Sequence, residues 1–128
     1  MAHSRHPPRV RERWKALGLR AFFRITREWG LSESEQADLL GLSGPEGLRR
    51  WQQQRPDRLG MESLERISHV LGIYRALGTL FADPIQAAGW VRRPNTAPLF
   101  DGRPALDVMR EGTASLLAVR TYLGAMAE

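Results

Sequence analysis

The apolar residues between positions 10 and 29 recur at steps of three and four, and this spacing constrains the fold more than any other feature of the chain. An α-helix brings such positions onto one face, so the segment predicts a long amphipathic helix with arginines on its other face. Pro8 suits the entry to this helix and Gly30 its end. The residues expected to face the core are Val10, Trp14, Leu17, Ala21, Ile25 and Trp29.

Further helices are predicted downstream by residues that start and stop them. Ser32 can cap a second helix that stops at Gly41, and the turn at positions 43 to 45 leads into a third. A fourth should reach about Leu80, followed by short helices over about 84 to 90 and 104 to 111 and a last one after Gly112. No stretch shows the alternation of a strand, so the chain is expected to be all-α. The apolar positions that mark the fourth and last helices are Met61, Leu64, Ile67, Leu71 and Tyr74, and then Leu116, Val119, Leu123 and Met126.

The composition is that of an ordinary folded protein. The chain has 128 residues, of which 42% are hydrophobic and 26% charged, which suits one domain or two small helical units that share a core. No apolar run is long enough to span a bilayer, and the N-terminus lacks the apolar stretch of a secretory signal. We therefore expect a cytoplasmic protein.

The residue types also limit the chemistry. The sequence has no cysteine, which excludes disulfides and thiolate zinc sites. His3 and His6 lie beside two prolines and His69 is isolated, so solvated or structural histidines are expected rather than metal ligands. No catalytic constellation and no phosphate-binding glycine loop is present. We expect neither an enzyme nor a bound cofactor.

Positive charge is concentrated at the N-terminus. Residues 1 to 27 hold eight Lys/Arg against one Glu, a net charge of +7, whereas residues 61 to 128 hold seven of each sign. A basic arm on an otherwise neutral protein indicates a polyanionic partner, most often DNA. The alternative is a solvated helix face, since 18 of the 19 basic residues are arginine.

The segment from Gln36 to Ser43 resembles the helix-turn-helix of Xre/Cro-type repressors. A small Ala37 allows close helix packing, Gly41 suits the tight turn, and leucines 40, 42 and 48 can fill the wedge between the two helices. The apolar positions of the second helix arrive one residue later than in the repressor pattern, as if positions 44 and 45 lengthened the turn. The alternative is an ordinary turn, with Leu48 and Trp51 as core residues.

The second helix of such a motif reads bases in the major groove. Arginine pairs with guanine and glutamine with adenine, and each good pair contributes about 1 to 3 kcal/mol of discrimination. Arg55 and Arg58, together with the basic arm, are expected to contact the phosphates. The candidate DNA-binding residues are Pro45, Glu46, Arg49, Arg50, Gln53, Gln54, Arg55 and Arg58.

The C-terminal half resembles the toxin-binding domain of Xre/MbcA/ParS antitoxins. The resemblance is carried by Trp90-Val91-Arg92-Arg93-Pro94-Asn95, by Gly102-Arg103-Pro104-Ala105-Leu106, and by Gly112 with Leu116, Val119 and Leu123. The chain departs from the family pattern at Val91 and Ala105, where leucine is usual, and in a longer spacer before Gly102 and a longer basic arm.

The resemblance implies an antitoxin with two activities. It would neutralise a RES-domain-like toxin, which consumes NAD or ADP-ribosylates a target, by covering the active-site cleft with its C-terminal helices. It would also bind operator DNA and regulate its own operon, and it would assemble as a homodimer and in a higher-order toxin–antitoxin complex. The residues it places against the toxin are Arg103, Arg120, Tyr122, Leu123, Met126 and Glu128, although Leu116, Val119 and Leu123 also suit a core.

The expected organisation is a flexible basic tail over residues 1 to 9, a basic helix with the helix-turn-helix over 10 to 60, and a helical toxin-binding and dimerisation part over 61 to 128. Two other functions remain open. One is a stand-alone helix-turn-helix regulator without a toxin, and the other is a protein-interaction adaptor whose basic arm meets an acidic protein or a membrane surface.

Overall fold

The computed structural model describes residues 8–52 and 60–128, with side chains for 13–49 and 60–128. These residues form seven helices and no strand, with a single isolated bridge between Pro94 and Pro104. The predicted all-α fold is confirmed. The helices are α1 (Pro8–Glu28), α2 (Glu33–Leu40), α3 (Gly44–Gln52), α4 (Met61–Leu80), α5 (Pro84–Trp90), α6 (Ala105–Met109) and α7 (Thr113–Ala127).

Helix α4 is the centre of the fold. It packs against α7 most extensively, then against α1, and also touches α2 and α5. Because two long helices cover it, its buried face is centred on Ile67, Val70, Ile73 and Leu77. The expected face was only partly right, since Met61 is 84% exposed.

The buried face of α1 begins later than its periodicity predicts. Phe22, Ile25 and Trp29 are at most 4% exposed, as a helical face should be, whereas Trp14 and Leu17 are 60% and 54% exposed. Gly18 lies beside α4, since a Cβ placed on it would be in van der Waals contact with the Ile67 side chain at 3.7 Å. The backbone is helical from Pro8 onward, so the expected tail is already helical at positions 8 and 9.

The ends of the short helices are set by local chemistry. The Asp83 carboxylate accepts a hydrogen bond from the Ile85 amide at 2.9 Å, and Pro84 occupies the first turn of α5, where a missing amide proton costs little. Among the described residues, no helix has the length and apolar character needed to cross a membrane.

Candidate nucleic-acid and partner interfaces

Both ends of α2 are fixed by the residues the sequence predicts. The Ser32 hydroxyl accepts from the Glu35 amide at 3.1 Å, and the Glu35 carboxylate accepts from the Ser32 amide at 2.8 Å, which is a complete capping box. Gly41 ends the helix at φ 77°, and its amide reaches the Asp38 carbonyl. A left-handed residue there reverses the chain without the steric cost that a Cβ would bring.

The junction of α2 and α3 has the packing of a helix-turn-helix. Ala37, Leu40 and Leu48 are at most 1% exposed, and Leu42 is partly buried against them. Gly44, at φ 69°, is a second left-handed glycine at the start of α3. The longer turn is therefore accommodated by two glycines, and Leu48 still reaches the core.

The outward face of α3 is described only at its start. Pro45 is half-buried, whereas Glu46 and Arg49 are exposed. Arg49 forms a bidentate pair with Glu33 of α2, at 3.1 Å from Nε to Oε2 and 3.0 Å from Nη2 to Oε1. This hydrogen-bonded pair lowers the pKa of Glu33. The side chains of Arg50, Gln53, Gln54, Arg55 and Arg58, and that of Trp51, lie outside the described residues.

Helix α2 is also held by two arginines from the C-terminal half. Arg92, which follows α5, donates from Nη2 to Glu35 Oε1 and to the Gly30 carbonyl, each at 2.7 Å. Arg110, which follows α6, places Nη2 2.7 Å from Asp38 Oδ2. We call these two ion pairs the α2 clamp. Burial opposes ionisation of Glu35, but the hydrogen bonds from Arg92 and the Ser32 amide prevail and its pKa is lowered.

Sequence reasoning did not find the α2 clamp. The partners are separated by 57 residues in one pair and 72 in the other, so no local spacing signals them. Arg92 lies within the segment that carries the family resemblance, but nothing in that pattern indicates its partner.

The connection from α5 to α6 is built by its own polar and aromatic residues. The Asn95 side chain accepts from the Ala97 amide at 2.9 Å, and the Asn95 backbone pairs with the Arg103 carbonyl and the Gly102 amide at 3.2 and 2.7 Å. The Phe100 ring is fully buried and packs edge-to-face between Trp90 and Tyr122, with centroids 5.7 and 5.2 Å away. The residues that carry the family resemblance here thus determine the shape of the loop through their own contacts.

Helix α7 has a buried face and an exposed one. Leu116, Val119 and Leu123 are fully buried against the rest of the core. Leu123 was expected against a toxin, but its burial in this structure makes it a core residue. Two apolar side chains remain open to solvent, with Leu117 48% and Met126 52% exposed. Sequence reasoning missed Leu117, because its periodicity does not separate it from its buried neighbours.

The other expected partner-contact residues have different surroundings. Glu128 is exposed and Tyr122 is half-buried beside Phe100. Arg103 has a 48% exposed side chain that lies 3.5 Å from Glu111. Arg120 is half-buried, and its position is the most constrained of the four.

Arg120 crosses α4 at Gly72. A Cβ on Gly72 would clash with Arg120 Nε, so the guanidinium occupies the space that any other side chain would fill. Its Nη1 lies 3.2 Å from His69 Nδ1 and 3.4 Å from Ser68 Oγ. Burial and the Arg120 charge lower the pKa of His69, although Glu65 opposes them. His69 is therefore a structural residue that accepts a hydrogen bond from Arg120.

Two protein-family models match successive parts of the chain. Residues 9–72 match the model of the antitoxin Xre-like helix-turn-helix domain. Residues 76–128 match the antitoxin Xre/MbcA/ParS C-terminal toxin-binding domain. Helix α4 runs through the boundary between the two matches and belongs to the core of both parts.

One relative and one negative result complete the comparison. A protein of Sinorhizobium fredii (strain NBRC 101917 / NGR234), named uncharacterized protein y4oB, is 42% identical over 108 residues, covering 84% of this chain and 81% of the relative. No solved structure matches the chain. With an Xre-like helix-turn-helix in its first half and a toxin-binding domain in its second, the chain belongs to the Xre/MbcA/ParS family of antitoxins.

Proposed function

We propose that the chain neutralises a cognate RES-domain-like toxin by laying its last helix over the toxin's active-site cleft. The observation that carries this proposal is that α7 has one buried face and one exposed face. Its core face is filled by Leu116, Val119 and Leu123, yet Leu117 and Met126 stay about half exposed on a helix that belongs to the toxin-binding domain. Exposed apolar side chains on such a helix are suited to burial against a partner.

The residues proposed to contact the toxin follow from their exposure. Met126 and Glu128 lie near the end of α7 and are open to solvent, and Leu117 joins them as a further apolar contact. Arg103 offers a half-exposed guanidinium. Arg120 and Tyr122 are proposed as half-buried contacts of this surface, and each also packs against the protein itself.

Affinity measured with paired substitutions tests this surface. Met126→Glu places a charge in the proposed interface, whereas Met61→Glu places the same charge at an 84% exposed position on α4. We expect the first variant to weaken toxin binding at least tenfold and the second to bind as the parent does. Removing α7 altogether is a poor test, because it also removes three fully buried core residues.

The DNA-binding activity is proposed to use α3 as the recognition helix and to regulate the antitoxin's own operon. Glu46, Arg49, Arg50, Gln53 and Gln54 would face the bases, while Pro45, Arg55 and Arg58 would approach the backbone. A homodimer in the cytoplasm, presenting two such helices to a two-fold operator, fits this role.

To contact DNA in this scheme, Arg49 must first break its ion pair with Glu33. The pair is solvent-exposed, with side chains 62% and 47% accessible, so its loss costs little. Arg49→Ala should weaken operator binding and relax preference at one base position by about 1 to 3 kcal/mol. Lys15→Ala, a loss of equal charge on α1, serves as the control for sequence preference. Equal operator preference in the Arg49 variant and the parent would remove Arg49 from the reading face, and the same result with Arg49 and Arg50 both changed to Ala would rule out α3 as the reading helix.

A further inference from the structure

The outer surface of α1 carries a row of four arginines, with the exposed Leu17 between the first and the second. Residues 13, 20, 24 and 27 are separated by seven, four and three positions, which places them on one side of a helix. All four are exposed. The opposite side of α1 holds the buried Phe22, Ile25 and Trp29. We call Arg13, Arg20, Arg24 and Arg27 the α1 arginine stripe.

No arginine of the α1 arginine stripe forms an ion pair within the described part of the chain. The acidic residues of α1, Glu12 and Glu28, flank residues 13 to 27, and the Glu28 carboxylate accepts a hydrogen bond from the Tyr74 hydroxyl. The five ion pairs among the described residues use arginines 49, 66, 92, 103 and 110, all outside α1. Most arginines of the C-terminal half thus have a carboxylate or carbonyl partner. Within residues 13–49 and 60–128, the arginines of the stripe have no carboxylate partner.

The stripe is also long, and its helix is packed into the fold. Burial of Phe22, Ile25 and Trp29 holds α1 against the rest of the fold. From position 13 to position 27 the helix rises through fourteen steps, which is roughly 21 Å. Guanidinium groups bind phosphate oxygens in a bidentate manner, and duplex DNA presents one phosphate charge for about every 1.7 Å of its axis. A row of this length is long enough to reach several phosphates at once.

We propose that the α1 arginine stripe binds the sugar-phosphate backbone of duplex DNA without regard to sequence, as a surface separate from α3. Helix α1 packs chiefly on α4 and α3 chiefly on α2, so the two surfaces belong to different pairs of helices. The stripe supplies affinity and charge attraction, and α3 supplies any choice of sequence. The proposal does not depend on α3 reading an operator.

The test uses the full-length protein and a random-sequence DNA duplex. In one variant Arg20, Arg24 and Arg27 are changed to Gln, and in the control Arg75 is changed to Glu and Arg93 to Gln, so that each variant loses three units of positive charge. Dissociation constants are measured over a series of salt concentrations, after thermal unfolding confirms that each variant is folded. Each lost phosphate contact lowers the magnitude of the slope of log K against log salt by about 0.9, or roughly 2.7 for the triple variant.

The outcomes are distinct. A slope reduced by two or more in the stripe variant and little changed in the control supports the proposal. Equal slopes in the stripe variant and the parent would overturn it, as would equal reductions in both variants, which would indicate net charge alone. The same variants are tested on phosphatidylserine vesicles, because Trp14 and Leu17 are exposed near the stripe. Stripe-dependent vesicle binding together with an unchanged duplex slope would assign the surface to membranes and overturn the proposal.

Discussion

Arg92 Nη2 lies 2.7 Å from Glu35 Oε1, joining the loop after α5 to the capping box that starts α2. The same guanidinium satisfies the Gly30 carbonyl, at the end of α1. Since Arg110 holds Asp38 further along α2, both pairs of the α2 clamp tie the first helix of the helix-turn-helix to the toxin-binding domain. The position of the DNA-binding motif thus depends on residues of the other half.

Replacing Arg92 should loosen this connection. Arg92→Ala removes three hydrogen bonds, and because the Arg92 side chain is 46% exposed we expect a loss of only about 1 kcal/mol in the free energy of unfolding. Arg75→Ala, on the exposed side of α4, is the control and should change stability by less than about 0.5 kcal/mol. Urea unfolding at neutral pH measures both. Equal stabilities of the two variants would show that the pair contributes nothing.

Acid should weaken the same contact. The pKa of Glu35 is lowered in the folded protein from its ordinary value of 4.5, so its stabilising effect is complete above that pH and is lost as the pH falls through the folded pKa. Glu35→Gln removes this titration. The unfolding temperature of the parent should therefore fall more steeply below pH 4.5 than that of the variant, and parallel curves would contradict the assignment.

His69 should make a second, separate contribution to pH dependence. Its pKa is lowered from 6.5 by burial and by Arg120, so the neutral form is favoured in the folded state. Stability due to this group is complete above pH 6.5 and is lost as the pH falls through the folded pKa. His69→Gln should flatten the fall in unfolding temperature between about pH 7 and pH 5, whereas Glu35→Gln should leave that interval unchanged.

Two glycines provide a matched test of the turn between α2 and α3. Gly41 is left-handed, and a Cβ there would lie 3.0 Å from the Arg66 guanidinium, so Gly41→Ala should cost about 1 to 2 kcal/mol. Gly78 is helical within α4, and a Cβ added there would meet no atom within 4 Å, so Gly78→Ala should stabilise by up to about 1 kcal/mol. Chemical unfolding of both variants measures the difference, and a neutral Gly41→Ala would contradict the role given to the turn.

Much of the fold follows from local sequence signals. Ser32 and Gly41 predict the limits of α2, and Asp83-Pro84 predicts the start of α5, because caps and left-handed glycines act within a few residues. The buried faces of α1 and α4 were predicted less well. Periodicity gives the spacing of a face but not which of its turns a neighbouring helix covers, so the exposure of Trp14 and Met61 could not be read from it.

The candidate interfaces stay a prediction, and the structure adds the exposure of their residues. Met126 and Glu128 are exposed as a contact surface requires, while Leu123 is buried because α7 packs closely on α4. The α2 clamp depends on long-range pairing, which no spacing in a single sequence reveals. The positive charge of the α1 arginine stripe is visible in the sequence. Which arginines form ion pairs, and which do not, can be seen only in the folded chain.

Growth rescue is the most direct measurement of the antitoxin activity. Cells that produce the cognate toxin are supplied with the full-length chain, with Met126→Glu, or with Met61→Glu at equal protein levels. We predict that the parent and Met61→Glu restore growth while Met126→Glu does not, because only the Met126 charge enters the proposed α7 interface. Full rescue by a folded Met126→Glu variant that also binds the toxin as tightly as the parent would contradict neutralisation through this surface.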